Sequence, residues 1–175
     1  MATLVEIVPY DDSWPQLFLE ITKELQDILG PSVIAIEHIG STAVPGLPAK
    51  PVIDVDVVIS TASHVASARA ALVTRGYEAR GNRYDDGVWA FLKRSCRPQQ
   101  RVYLCPPENR THERRLVFRD FLRSHAETAA AYATLKTELA RKFPYDGDAY
   151  TAAKGDFINQ IVGNALPEAA GLTAS

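Results

Sequence analysis

The run Pro51-Val52-Ile53-Asp54-Val55-Asp56-Val57-Val58-Ile59 constrains the fold more than any other stretch. Its density of Val and Ile marks a β-strand from Pro51 to Ser60. Side chains alternate across a strand, so Ile53, Val55, Val57 and Ile59 share one face while Asp54 and Asp56 share the other. Carboxyl-bearing positions two apart stand roughly 6–7 Å from each other along the strand. Two ionised acids at that spacing repel, and burial would raise at least one pKa. The apolar run argues for a central strand, where such a pair makes sense with a divalent cation such as Mg²⁺ between the acids, because hard cations take carboxylate oxygens. The alternative is an edge strand whose polar face meets water.

A second element lies upstream. Val33 to Ile39 reads as a short strand that ends at Gly40-Ser41-Thr42. Glycine at a strand end lets backbone N–H groups approach an anion, and Ser41 adds a hydroxyl donor. Twelve residues separate Ser41 from Asp54, and Lys50 enters the acid-bearing strand as a point charge within reach of the same anion. A phosphate cradle on one strand end and a carboxylate pair on the next would bring a triphosphate and a metal together, as phosphoryl and nucleotidyl transfer require. His38, beside the turn, is a candidate general base, with a structural histidine bound to the loop as the alternative.

The rest of the chain reads as one domain. Hydrophobic residues make up 46% of the 175, enough for a core. Asp12 or Ser13 can cap a helix with Pro15 in its first turn and Gly30 at its end, and Leu17, Phe18, Ile21, Leu25 and Ile28 form its apolar stripe. A helix over Ala62 to Arg75 follows, then strands at Tyr77 to Ala79, Val88 to Ser95 and Arg101 to Cys105. Helices complete the chain over Thr111 to Ser124, Ala126 to Phe143 and Asp146 to Val162. This pattern predicts an α+β fold, a small mixed sheet packed by helices, in one domain over 1–165 with a flexible tail at 166–175. No apolar run approaches the ~20 residues of a membrane span. Met1 to Tyr10 lacks the features of a secretion signal. Cys96 and Cys105 are the only cysteines and read as free thiols packing as small apolar groups, so a cytoplasmic protein is expected.

Net charge is −2, but its distribution is uneven. Lys93 to Arg123 carries nine Lys and Arg against three acids, whereas the first thirty residues are acidic. Arg115, Arg119 and Arg123 recur at helical spacing beside Leu116, Phe118 and Leu122, so they can reach phosphates or pair with acids. His112 reads as a surface or cap residue. Lys136 and Lys154 lie on amphipathic helices, from which Lys154 can point into a cleft or snorkel to solvent. Nucleic acid is not expected as a partner, because the basic segment lacks interleaved stacking aromatics.

The spacing of Gly40-Ser41 and Asp54-x-Asp56 resembles the signature of the nucleotidyltransferase fold. The longer run from Ile36 to Leu47, continuing through Ala49 to Asp56, resembles the GrpB family, whose domain also occurs fused to dephospho-CoA kinases. Ile7-Val8-Pro9-Tyr10-Asp11, Phe118-Arg119-Asp120-Phe121-Leu122-Arg123, Tyr132 to Lys136 and Tyr150 to Lys154 extend the likeness over about Val5 to Val162. The resemblance implies a nucleoside triphosphate with Mg²⁺, a small acceptor, Gly40, Ser41 and Thr42 on phosphate, and Asp54 and Asp56 as catalytic metal ligands. Lys50, Arg101, Tyr103, Arg119 and Lys154 would bind the anionic substrate. One departure stands out. Nucleotidyltransferases carry a third carboxylate on a neighbouring strand, and the corresponding segment here, Arg101-Val102-Tyr103-Leu104-Cys105-Pro106, has none.

Two further readings follow from that departure. The chain is either an anion-binding or regulatory module that has lost nucleotidyl transfer, or a metal-independent enzyme using Arg101, Tyr103 and His38 on a small metabolite. The sequence does not set the oligomeric state.

Overall fold

The acid-bearing segment forms β2 (Val52–Ile59), set between β1 (Val33–Ile39) and β5 (Gln99–Cys105). The computed structural model describes residues 4–171, with side chains described as far as Ala165. β4 (Trp89–Lys93) and β3 (Glu78–Gly81) complete a five-stranded sheet in the order β1-β2-β5-β4-β3. The sheet is mixed: β2 runs parallel to β5, and the other neighbouring pairs are antiparallel. Asp54 therefore faces Ile39 on one side and Arg101 on the other, and Asp56 faces Glu37 and Tyr103.

Packing on the two faces follows the alternation in β2. Ile53, Val55, Val57 and Ile59 are fully buried against α1 (Trp14–Leu29) and α2 (Val65–Thr74), through Ile21, Leu25, Leu29, Ala68 and Leu72. Each such aliphatic contributes about 1.5–3 kcal/mol on burial. A one-residue slip of β2 would exchange this row for the acids, so the core itself fixes which face carries Asp54 and Asp56. The opposite face meets α3 (Arg110–Ser124). Beside α3, a second core joins Val44, Leu47, Leu122 and Tyr132 with Phe118 and Phe157, and so seats α4 (Ala126–Lys142) and α6 (Gly155–Gly171) on the loop between β1 and β2.

Several elements differ from the sequence expectation. The helix expected over Asp146 to Val162 is two, α5 (Gly147–Ala153) and α6, separated at Lys154. Gly155, a weak helix former, follows the break, and Asp146 caps α5 by accepting from the Ala149 N–H at 2.9 Å. α6 continues past Val162 to Gly171; residues 172–175 of the expected tail lie outside the described residues. The segment after Ile59 opens with a 3-10 turn, Ala62–His64, before α2 begins. At α1, Ser13 gives no side-chain cap; its N–H instead donates to Asp11 Oδ1 at 2.8 Å, with Pro15 in the first turn as expected.

Candidate functional site: a cationic cleft beside two engaged carboxylates

The turn after β1 is built around Gly40, whose φ of +73° suits glycine. A Cβ added there would lie 2.9 Å from Asp54 Oδ2, so the same glycine also admits the carboxylate of β2. The turn is braced from behind. His38 Nε2 shares a hydrogen bond with Thr42 Oγ1 at 2.9 Å, and the Thr42 hydroxyl donates to the Val52 carbonyl at 3.4 Å. The His38 ring is buried and stacks on Phe18 with centroids 4.7 Å apart. Burial, reinforced by Arg123 and Arg119, pushes its pKa down to about 4, so the imidazole is neutral at physiological pH. His38 therefore braces the turn and does not line the cleft, which corrects its expected place as a general base. Thr42 does line the cleft, but its hydroxyl is engaged by His38 and the Val52 carbonyl.

Asp56 has no solvent exposure, and both of its oxygens are engaged. Arg115 Nη1 donates to Oδ1 at 2.7 Å, and His112 Nδ1 lies 2.9 Å from Oδ2. Asn109 places His112 there by capping α3, accepting the His112 N–H at 3.0 Å. Asp54 accepts from Arg101 Nη1 at 3.3 Å. Burial raises the Asp54 pKa, opposed by Arg101 and Arg115. A divalent cation between the two acids would have to displace Arg115 and His112 from Asp56 and would face two guanidinium groups. As arranged, the donor set does not fit Mg²⁺; a metal shared by Asp54 and Asp56 would require Arg115 and His112 to withdraw. Asp56, Cys105 and His112 do place three potential ligand atoms within 4.8 Å of one another, but Arg115 holds the same carboxylate.

In front of these groups lies a cleft of about 1180 Å³. It brings together Gly40, Ser41, Lys50, Asp54, Arg101, Tyr103 and Lys154 from the sequence-derived set, and adds Arg115, Lys136 and Tyr132. The Nζ atoms of Lys50 and Lys154 lie 4.3 and 4.4 Å from the centre of the Tyr150 ring. Lys136 is 1% exposed, donates to the Pro48 carbonyl, and lies 4.9 Å from the Tyr132 ring. Burial, reinforced by Lys154, pushes the Lys136 pKa down to about 7. Burial, then Lys50, lowers Lys154 to about 8. Among the described residues none of these lysines pairs with a carboxylate. Burial lowers all three, and Arg101 acts further on Lys50, Lys50 on Lys154 and Lys154 on Lys136, so an anion among them would relieve a crowd of positive charge.

Arg119 borders the cleft, but its guanidinium is committed. It donates to Glu37 at 2.8 Å, to the His38 carbonyl at 3.0 Å and to Asp120 at 2.7 Å. Its expected role on substrate is corrected to holding α3 against β1. Arg123 likewise donates to the Ala43 carbonyl at 2.8 Å, which secures the turn. Sequence reasoning read His112 as a surface or cap residue and left Arg115 and Lys136 out of the candidate site, although it allowed Arg115 to pair with an acid. Arg115 stands in the helical stripe that already includes Arg119 and Arg123, and only the register of α3 on β2 selects it; its guanidinium sits 4.0 Å from the Tyr103 ring centre.

A family model described as GrpB protein matches residues 4–164. The chain belongs to the GrpB family. YqkA of Bacillus subtilis (strain 168), a UPF0157 protein, is 34% identical over 161 residues, which cover 92% of this chain and 47% of that protein. A dephospho-CoA kinase of Mycolicibacterium paratuberculosis is 27% identical over 175 residues, covering 86% of the chain and 43% of the kinase. The chain thus spans about half the length of these two relatives. Among solved structures, GrpB from Enterococcus faecalis superposes with a TM-score of 0.85 at 33% identity, covering 93% of this chain and 98% of that one. The Cid1 poly(U) polymerase superposes at 0.52 with 12% identity over 77% of the chain and 43% of Cid1, a likeness of fold alone. The GrpB-family chain therefore has the nucleotidyltransferase-like α+β fold, with guanidinium groups on the two acids of its β2.

Proposed function

We propose that this GrpB-family chain binds a nucleotide, or another small molecule bearing phosphates, in the cationic cleft. Ser41, Lys50, Lys154 and Arg101 would take the phosphate oxygens. Binding would need no divalent cation between Asp54 and Asp56. The observation that carries this reading is the engagement of Asp56 by Arg115 and His112, with Arg101 on Asp54. The carboxylates then serve to orient guanidinium groups at the cleft wall, and the net charge of the wall is positive. Arginine forks match phosphate oxygens in pairs, and lysines add point charge.

Isothermal titration with ATP, GTP, CTP and UTP, each in Mg²⁺ and in EDTA, tests the proposal. The expected result is at least one triphosphate bound in EDTA, with affinity lost in Lys154→Ala. Failure to bind any of the four, or binding confined to Mg²⁺, overturns it.

A second reading, nucleotidyl transfer to a small acceptor with Mg²⁺, draws support from the placement of Asp54 and Asp56 on one strand face beside the Gly40 turn in this fold. It requires Asp56 to release Arg115 and His112. Pyrophosphate release that depends on Mg²⁺ and disappears in Asp54→Asn would favour it over metal-free binding.

A further inference from the structure

The outer mouth of the cleft carries features that a phosphate bound among the inner lysines leaves unused. Tyr84, in the connection from β3 to β4, is 67% exposed, and Tyr145, just ahead of α5, is 64% exposed; both line the cleft. Single exposed tyrosines are ordinary, but here the same opening is edged by arginines without acidic partners. Arg80, Arg97 and Arg114 line the cleft, and none of them pairs with a carboxylate among the described residues. Arg97 Nη1 reaches only the carbonyls of Arg94 and Cys96, and Arg114 donates to Asn159 Oδ1 at 2.7 Å. The two walls meet through the Arg83–Asp148 ion pair at 3.2 Å. Tyr84 follows Arg83 directly and Tyr145 precedes Asp148 by three residues, so the tyrosines flank this bridge in sequence. Both of its ends are exposed, so the bridge is weak and opens at little cost.

Size points the same way. A volume of about 1180 Å³ exceeds the roughly 300–1,000 Å³ that suits one small ligand. Exposed aromatic faces and arginines without acidic partners on one cleft are what a single strand of nucleic acid uses, since every base offers a π face and every linkage a phosphate. An acidic peptide would use the arginines and leave the tyrosines idle. The basic segment from Lys93 to Arg123 has no such aromatics of its own; the fold supplies them from positions outside it.

We propose that the mouth of the cleft binds a short single-stranded oligonucleotide, with bases stacked on Tyr84 and Tyr145 and backbone phosphates on Arg80, Arg97 and Arg114. This names a substrate class for the cleft proposed above, but it stands on residues separate from the inner lysines.

Fluorescence anisotropy with 5′-fluorescein octamers of uridylate and adenylate tests it on the whole chain, with tripolyphosphate titrated separately. Tyr84→Ala and Tyr145→Ala are expected to weaken octamer binding by about tenfold each, and the corresponding phenylalanine variants to retain it. Arg97→Ala should reduce the slope of log affinity against log salt by about one. Tripolyphosphate affinity should be unchanged in the tyrosine variants. Octamer binding that ignores the tyrosines, or no octamer binding while tripolyphosphate binds, overturns the proposal. Tyrosine-dependent octamer binding without tripolyphosphate binding would support the mouth and sink the inner phosphate reading. Both tyrosines are exposed, so the variants should fold, and unchanged melting temperatures check this.

Discussion

Arg115 Nη1 stands 2.7 Å from Asp56 Oδ1, on a carboxylate that no solvent reaches. That contact reverses the meaning of the two acids in β2. A carboxylate pair with free oxygens attracts a metal; a pair already bound by Arg101, Arg115 and His112 presents two guanidinium groups to the cleft. The same residues that suggest a metal site in the sequence would, on the proposed reading, support an anion site.

The first consequence is a difference in stability between the two acids. Removing one partner of a buried ion pair costs about 3–5 kcal/mol, because the other charge is left buried and unpaired. Asp56→Ala should approach that loss. Asp54→Ala should cost about 1 kcal/mol or less, since Arg101 and Asp54 are both partly exposed. Urea denaturation of the two variants measures the difference. Equal and small losses would mean that Asp56 is free to hold a cation.

Gly40 offers a second test, because its side of the turn has two independent reasons to reject a side chain. An alanine would sit at a φ of +73° and push its Cβ into Asp54 Oδ2, 2.9 Å away. With a ψ of −172° this backbone lies in a region essentially reserved for glycine, which costs roughly 1–3 kcal/mol for another residue, and displacing Asp54 from Arg101 adds to it. Gly40→Ala should therefore lower stability by about 1–3 kcal/mol or more and weaken triphosphate binding several-fold. Thermal melts and titration together check this. A variant with native stability and native affinity would show that the turn tolerates the substitution and that Asp54 does not depend on it.

These contacts also show how far the sequence could be read. Alternation in β2 was enough to put Asp54 and Asp56 on one face, and the Gly40 turn beside Asp54 followed from strand adjacency. The family resemblance carried the fold. The partners of Asp56 were not legible, because His112 and Arg115 lie more than fifty residues away and meet it only through the register of α3 on the sheet. An arginine stripe on a helix does not say which member turns inward; here Arg115 reaches Asp56 while Arg119 is spent on Glu37. The break at Lys154 was hidden for a similar reason. Gly155 permits it, but only the cleft shows where it aims the lysine.

Ligand affinity should depend on pH through the lysines. An anion favours their protonated forms. Lys154 loses its proton near pH 8 in the free protein, because burial and Lys50 disfavour the charge. Its protonated fraction falls about tenfold between pH 7 and pH 9, and triphosphate affinity should fall by about the same factor. Titration across that range measures it, with Lys154→Arg expected to flatten the profile. An affinity that is constant or rises would separate Lys154 from the bound phosphates.

Lys136 makes the last prediction, on stability without ligand. Its pKa is about 7 in the folded chain against 10.5 for an ordinary lysine, chiefly from burial. Below pH 7 both states hold the proton and the full cost of burying the charge is present. Between pH 7 and 10.5 the unfolded chain holds more protons than the folded one, so stability rises with pH. The slope contributed by one group is at most about 1.4 kcal/mol per pH unit. Cys105, whose pKa burial raises from 9.0, acts in the opposite direction above that value. The measurement therefore belongs between about pH 7 and 8.5. Urea midpoints should rise over this interval in the native sequence and rise less in Lys136→Met, which keeps the volume and removes the charge. If the two slopes coincide, Lys136 is charged throughout and an acid or water must reach it; that would also shift the inner end of the proposed phosphate site toward Lys154 and Lys50.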